Sequence, residues 1–187
     1  MRRRPLLIST ALALSAPVWA NNPQADSPLT SALQGLRPVG QTRLRVWGFE
    51  VYDATLFAAA GFEPERYADH RFALELAYLR AFDGADIAQR SIDEMREQSP
   101  LDDAQAQRWL ADMARLFPNV QRGDRITGLH QPGVGARFFL NGQSLGELPD
   151  DAFSRRFFGI WLSPKSSQPR MRASLLQSVA SAAPRTP

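Results

Sequence analysis

The chain predicts an α+β fold, one antiparallel sheet with helices packed on one face. Three observations carry that prediction. Strand-like runs come as neighbours joined by two-residue turn signals, Gly48-Phe49 and Asn141-Gly142. Helical patterns are grouped between and after the strands and do not alternate with them one for one, so the order is strands, helices, strands, helices. No repeat and no second composition break divides the 187 residues.

Each element has its own justification. Pro28 to Gly35 suits a helical turn. Arg43 to Phe57, RLRVWGFEVYDATLF, reads as a hairpin, and glycine first in Gly48-Phe49 favours a type II′ turn. In that register Trp47 faces Glu50, Arg45 faces Tyr52 and Arg43 faces Ala54, which puts Arg43, Arg45 and Tyr52 on one face. Residues 59–70 are a Gly, Pro and charge-rich connection. Arg71 to Leu79 alternates Phe72, Leu74, Leu76 and Tyr78 on one side, a strand. Asp83-Gly84-Ala85-Asp86 reads as a helix start with a side-chain cap, and Ile87, Ser91, Ile92 and Met95 keep helical spacing up to Ser99-Pro100. A second helix opens at Asp102 or Asp103 and buries Trp109, Leu110, Met113 and Leu116. After Gly123 the strands return: Arg125 to His130, then Ala136 to Leu140 and Gln143 to Leu148 around Asn141-Gly142. Pro149-Asp150-Asp151 opens a helix carrying Phe153, Phe157 and Trp161, and Gln168-Pro169 starts a last one through Leu175 and Leu176.

The beginning of the chain reads as an export leader. Arg2, Arg3 and Arg4 precede an apolar run from Leu6 to Leu14, and Val18-Trp19-Ala20 offers small residues for cleavage after Ala20. The run is shorter than the ~20 residues of a membrane span, so no stable span is expected after cleavage, and the location is periplasmic or secreted. The organisation that follows is a leader over 1–20, a flexible segment over 21–35, one domain over 36–181 and a frayed tail over 182–187. Loss of the three leader arginines takes Lys+Arg from 22 to 19, level with Asp+Glu at 19. The basic balance belongs to the precursor, and nothing electrostatic points to nucleic acid. With no cysteine, the domain rests on its core without disulfides.

The usual signals of catalysis are missing. The chain holds no cysteine nucleophile, no phosphate-cradling glycine loop and no G-x-S-x-G elbow. His70 and His130 lie in unrelated segments without partners at ligand spacing, so no metal and no cofactor is expected, and solvation at a loop or strand end accounts for both. Asp102-Asp103 and Asp150-Asp151 sit where helices begin and read as caps. Phe138, Phe139, Phe157, Phe158 and Trp161 are either core or the lining of a cavity.

VYDATLF (51–57), GDRITGLHQPGVGARFFLNG (123–142) and FFGIWLSP with QPRMRASLL (157–176) together resemble the bacterial chalcone isomerase-like proteins, over about Leu36 to Leu176. The resemblance implies an open-faced β-sandwich, a large antiparallel sheet with helices over one face and a cleft between them. Plant relatives divide into enzymes that cyclise chalcones and non-catalytic fatty-acid binders. The isomerases' arginine on the first strand falls on Arg43. Their threonine falls on Tyr52, and tyrosine there is similar to the fatty-acid-binding branch. Ile87, Arg90 and Glu94 stand where an isomerase carries tyrosine, lysine and asparagine, which argues against chalcone cyclisation.

The candidate site is therefore Arg43 and Tyr52, with Arg45 as a weaker third. A guanidinium in an apolar cleft needs an anion beside it, and its fork fits a carboxylate while a phenol adds a hydrogen bond. Three readings stay open: an exported binder of a fatty acid or similar apolar carboxylate, an isomerase or lyase on an enone with Arg43 polarising the carbonyl and Tyr52 donating a proton, and a scaffold with a filled cleft. Arg43 and Arg45 as solvated strand residues paired with Glu50 and Asp53 is the plain alternative.

Overall fold

The computed structural model describes residues 27–182. The leader, its cleavage after Ala20 and the tail past Ala182 lie outside the described residues. Six strands form one sheet in the order in which they occur in the chain: β1 (Arg37–Val46), β2 (Phe49–Ala58), β3 (Phe72–Tyr78), β4 (Arg125–Gln131), β5 (Gly135–Leu140) and β6 (Gln143–Leu148). Every neighbouring pair is antiparallel. Five helices accompany it: α1 (Pro28–Ala32), α2 (Gly84–Gln98), α3 (Asp103–Leu116), α4 (Asp151–Leu162) and α5 (Pro169–Ala182). A 3-10 turn over Pro64–Asp69 lies in the connection between β2 and β3.

The strands' alternation decides which face is covered. Ala54, Leu56, Phe72, Leu74 and Phe138 point to the side of α4 and α5 and are buried there. Helix α4 presents Phe153, Phe157 and Trp161 at four-residue spacing, with Phe158 beside them; Phe158 meets Phe72 and Phe157 meets Phe138 edge to face, while Phe157 meets Phe117 at a tilt. Each such ring removed from water contributes about 1.5–3 kcal/mol. Helix α5 lies on β1, and Gly40 lets it come close: a β-carbon there would fall 1.8 Å from the Leu175 carbonyl oxygen. The reverse face carries a smaller cluster in which Ala32 of α1 packs on Ala73, Leu129 and Phe139. Phe139 thus joins the second core, whereas Phe138 and Phe158 belong to the first.

The helix caps follow the aspartates with one exception. The Asp102 carboxylate accepts from the Gln105 N–H and that of Asp150 from the Phe153 N–H. Asp150 also accepts from Trp109 Nε1 at 2.9 Å, tying α3 to α4. At α2 the expected side-chain cap is absent on Asp83, and Asn119 takes its place by accepting from the Gly84 N–H at 2.9 Å.

The first hairpin departs from the expected geometry. Its turn is Trp47-Gly48, with φ of 49° and 83°, the type I′ form that needs positive φ at both central residues. Val46 pairs with Phe49 and Arg45 with Glu50, but Leu44 then pairs with Tyr52, so Val51 is an extra residue on β2. Past the bulge Arg43 stands opposite Asp53 and Thr42 opposite Ala54. Arg43 and Tyr52 therefore lie on opposite faces, contrary to the expected register. The physical reason is that apolar residues on both faces leave the pairing weakly fixed by pattern, and the turn then sets it.

His130 is a second correction. It is fully buried on β4, with Nε2 donating to the Ala68 carbonyl at 2.9 Å and Nδ1 2.6 Å from Ser154 Oγ. Hydrogen bonds inside the protein, not solvent, satisfy it. Burial lowers its pKa from the ordinary 6.5, against the Ala68 hydrogen bond and the neighbouring Asp151 and Asp69 carboxylates.

Two measurements check these packing statements. Tryptophan in the left-handed region is strained by about 1 kcal/mol or more, and the Trp47 side chain, 94% exposed, gains little in return. Trp47→Asn, which suits a type I′ turn, is expected to raise the thermal midpoint by roughly 2–4 °C. For His130, the unfolded chain takes up a proton near pH 6.5 and the folded one only at lower pH. The unfolded state binds more protons in that window, so stability is full above it and falls as pH drops below 6.5. Denaturation of His130→Gln as a function of pH is expected to lack this slope.

Candidate functional site

Helix α2 makes its main contacts with α3 and α4, not with the sheet. It stands off from β1, β2 and β3, and the space between is a cavity of about 700 Å³, within the range of small-molecule sites. Its walls are mostly apolar: Leu44 and Leu76 from the sheet, Ile87 from α2, Phe157, Ile160 and Trp161 from α4. The aromatic run of α4 thus divides between the core and the cavity, a division that hydrophobic pattern alone leaves open.

Polar and charged side chains, including the carboxylates of Asp86 and Glu94, complete the lining. Tyr52 and Tyr78 are directly paired across β2 and β3, with ring centroids 6.1 Å apart, and both line the cavity. The Tyr52 hydroxyl accepts from Trp161 Nε1 at 3.0 Å, which leaves its own proton to donate. The Tyr78 hydroxyl has no hydrogen-bond partner among the described residues. Burial pushes both phenols well above their ordinary pKa of 10.0, most strongly opposed at Tyr52 by the Trp161 hydrogen bond. They stay neutral and act as donors.

Two guanidinium groups lie along the opening. Arg80, in the bend two residues beyond Tyr78, sits 5.9 Å from the Phe49 ring centre and 5.7 Å from that of Phe82. It has no carboxylate partner among the described residues. Arg90 is bound to Glu94 one helical turn away, and Glu94 also accepts from the Ser167 hydroxyl. Ile87, Arg90 and Glu94, the three positions singled out on α2, all line the cavity.

Of the expected site, Tyr52 is in the cavity wall, and Arg43 and Arg45 are on the other face of the hairpin. Asp53 holds Arg43 by two hydrogen bonds of 2.6 and 2.8 Å, and Glu50 binds Arg43 at 2.7 Å and Arg45 at 2.9 Å. These bonds, with Asp53 first, raise the Arg43 pKa, while Arg43 lowers those of Asp53 and Glu50. The arginines' pairing with Glu50 and Asp53, weighed as the plain alternative, is the one formed. Arg80 was not among the expected site residues. Arg80 lies in the bend just past β3, where strand alternation gives no signal for it. Among the described residues no three His, Asp or Glu side chains gather as a metal site.

A sheet roofed by helices, with a lined hollow between the layers, defines an α+β protein with an internal ligand-sized cavity. The chain belongs to the chalcone isomerase-like family, whose profile matches residues 32–177. It is 31% identical over 141 residues to an uncharacterized protein of Haemophilus influenzae, covering 75% of this chain and 67% of that one. The crystal structure of the Arabidopsis thaliana fatty-acid binding protein AtFAP1 superposes with a TM-score of 0.62 at 13% identity, over 79% of this chain and 89% of the other. The open sheet with helices on one face is thus a fold the two share.

Tyr52→Phe removes the acceptor of Trp161 Nε1. A loss of about 1 kcal/mol in denaturant unfolding is expected, with the fold retained.

Proposed function

We propose that the protein binds a fatty acid or a similar apolar carboxylate in the cavity under α2, without transforming it. The observation that carries this reading is the hollow of about 700 Å³ with mostly apolar walls, whose lining includes two phenol donors and a guanidinium with no carboxylate partner among the described residues. Similarity to a protein described as fatty-acid binding supports the same class of ligand.

The chemistry assigns the parts. An alkyl chain among Leu76, Ile87, Phe157 and Trp161 contributes roughly 0.8 kcal/mol per buried CH₂, so a ten-carbon tail supplies most of the affinity. The carboxylate is oriented by Arg80, whose fork accommodates two oxygens, and by the hydroxyl protons of Tyr78 and Tyr52. Arg80 takes the role that the sequence suggested for Arg43, whose fork Asp53 fills. Burial aside, Glu94 lies near enough to Tyr52 to raise its pKa, and its pairing with Arg90 and Ser167 offsets that charge.

Turnover of an enone is the competing reading, with Tyr52 as proton donor. A phenol whose pKa is raised by burial releases its proton reluctantly, so binding is favoured over catalysis. No loss of chalcone absorbance above the uncatalysed rate is expected. Export to the periplasm, or secretion, remains part of the proposal and rests on the leader-like first twenty residues.

Titration with a fluorescent fatty acid tests the reading. Ile87→Trp, which fills the cavity, is expected to abolish binding. Arg80→Ala is expected to weaken a fatty acid about tenfold, the order of one charge-assisted contact, and to leave the matching fatty alcohol unaffected. Equal losses for acid and alcohol would remove Arg80 as the carboxylate's partner, and undiminished binding by Ile87→Trp would remove the cavity.

A further inference from the structure

Four large apolar side chains are exposed among the described residues, and three of them fall within one turn of chain: Val46 at 41%, Trp47 at 94% and Phe49 at 64%. All three sit at the tip of the first hairpin. Trp47 occupies the left-handed position that asparagine fills at less conformational cost, with almost none of its surface against the protein. Neither packing nor turn chemistry accounts for it.

We propose that this tip docks on a phospholipid bilayer. Tryptophan and phenylalanine are suited to the headgroup region, where an amphipathic or flat ring is half in water and half in hydrocarbon. Arg80 lies against the Phe49 ring with no carboxylate partner among the described residues, and so presents a free cation to anionic headgroups. Arg45 is exposed on the same hairpin, with the nearby Glu50 held by Arg43 and Arg45. A protein partner fits this surface less well. A stable protein interface takes about 800 Å² from each side, and three side chains on a two-residue turn fall far short. A weak, reversible anchor needs only a small apolar area with cationic help.

The tip is also continuous with the cavity, since Val46, Trp47 and Phe49 are part of its lining. Docking would set the opening against the bilayer, where an apolar acid resides. That consequence rests on the ligand-binding reading, whereas the docking itself does not.

Sedimentation of the full chain with phosphatidylglycerol/phosphatidylcholine vesicles, at low and high salt, tests the proposal. Trp47→Asn keeps a residue the turn favours, and its circular dichroism checks that it is folded. Its partition onto vesicles is expected to fall roughly tenfold. Arg80→Gln is expected to weaken binding to phosphatidylglycerol about fivefold and to leave binding to pure phosphatidylcholine unchanged. Brominated lipids are expected to quench a component of the wild-type tryptophan fluorescence that Trp47→Asn lacks. The proposal is overturned if wild-type protein stays in the supernatant at low salt, or if Trp47→Asn partitions as wild type does. Uptake of cis-parinaric acid by wild type in vesicle-free buffer reports on the cavity separately. Docking without uptake would overturn the ligand reading alone, and uptake without docking would overturn the membrane proposal alone.

Discussion

One extra residue in β2, Val51, sorts the first hairpin into two chemically different faces. Without a bulge, Glu50 and Asp53, three residues apart, would point to opposite sides of the strand. With it, both carboxylates reach Arg43, and Tyr52 turns toward the helices together with Leu44. The ionic cluster stays on the solvent side, where its charges remain hydrated. The inner side is left with hydrocarbon and a phenol. The hairpin's share of the cavity wall therefore carries none of the four charged groups of Arg43, Arg45, Glu50 and Asp53, whose drying would be costly.

The rest of the site follows from how the second layer rests on the first. Helices α4 and α5 lie directly on the sheet, held by the phenylalanine cluster and by the close approach at Gly40. Helix α2 is carried by α3 and α4 at a distance from the strands. Its polar inner positions, Ser91 and Glu94, are satisfied by Ile87, Arg90 and Ser167, so the helix does not need the sheet to cover it. Close packing on one side and stand-off on the other yield a rigid core beside a hollow. The phenols of Tyr52 and Tyr78 are fixed within that hollow by strand pairing, a more exact support than a loop would give.

Much of this was legible from the residues. Alternation in Phe72 to Tyr78, the Asn141-Gly142 turn, and the aspartates before α3 and α4 each correspond to an observed element or cap. Glycine in the first turn was read correctly as a turn residue, but at the wrong position. A tryptophan with φ of 49° is not what turn preferences favour, and a bulge leaves no mark on a strand whose two faces are both partly apolar. One slip in register moved Arg43 out of the site. The burial of His130 is hidden from the sequence for a related reason: what satisfies it, Ser154 and the Ala68 carbonyl, is distant along the chain. The place of Arg80 lies in its lacking a carboxylate partner, a property of the assembled structure and not of its sequence neighbours.

The central claim is that the hollow beneath α2 holds an apolar acid in the working protein. Native mass spectrometry of the protein purified gently from its own host addresses it most directly. The account predicts a species heavier than the polypeptide by the mass of one fatty acid, released on denaturation. A polypeptide that arrives with an empty cavity and takes up no added fatty acid of any chain length would contradict it.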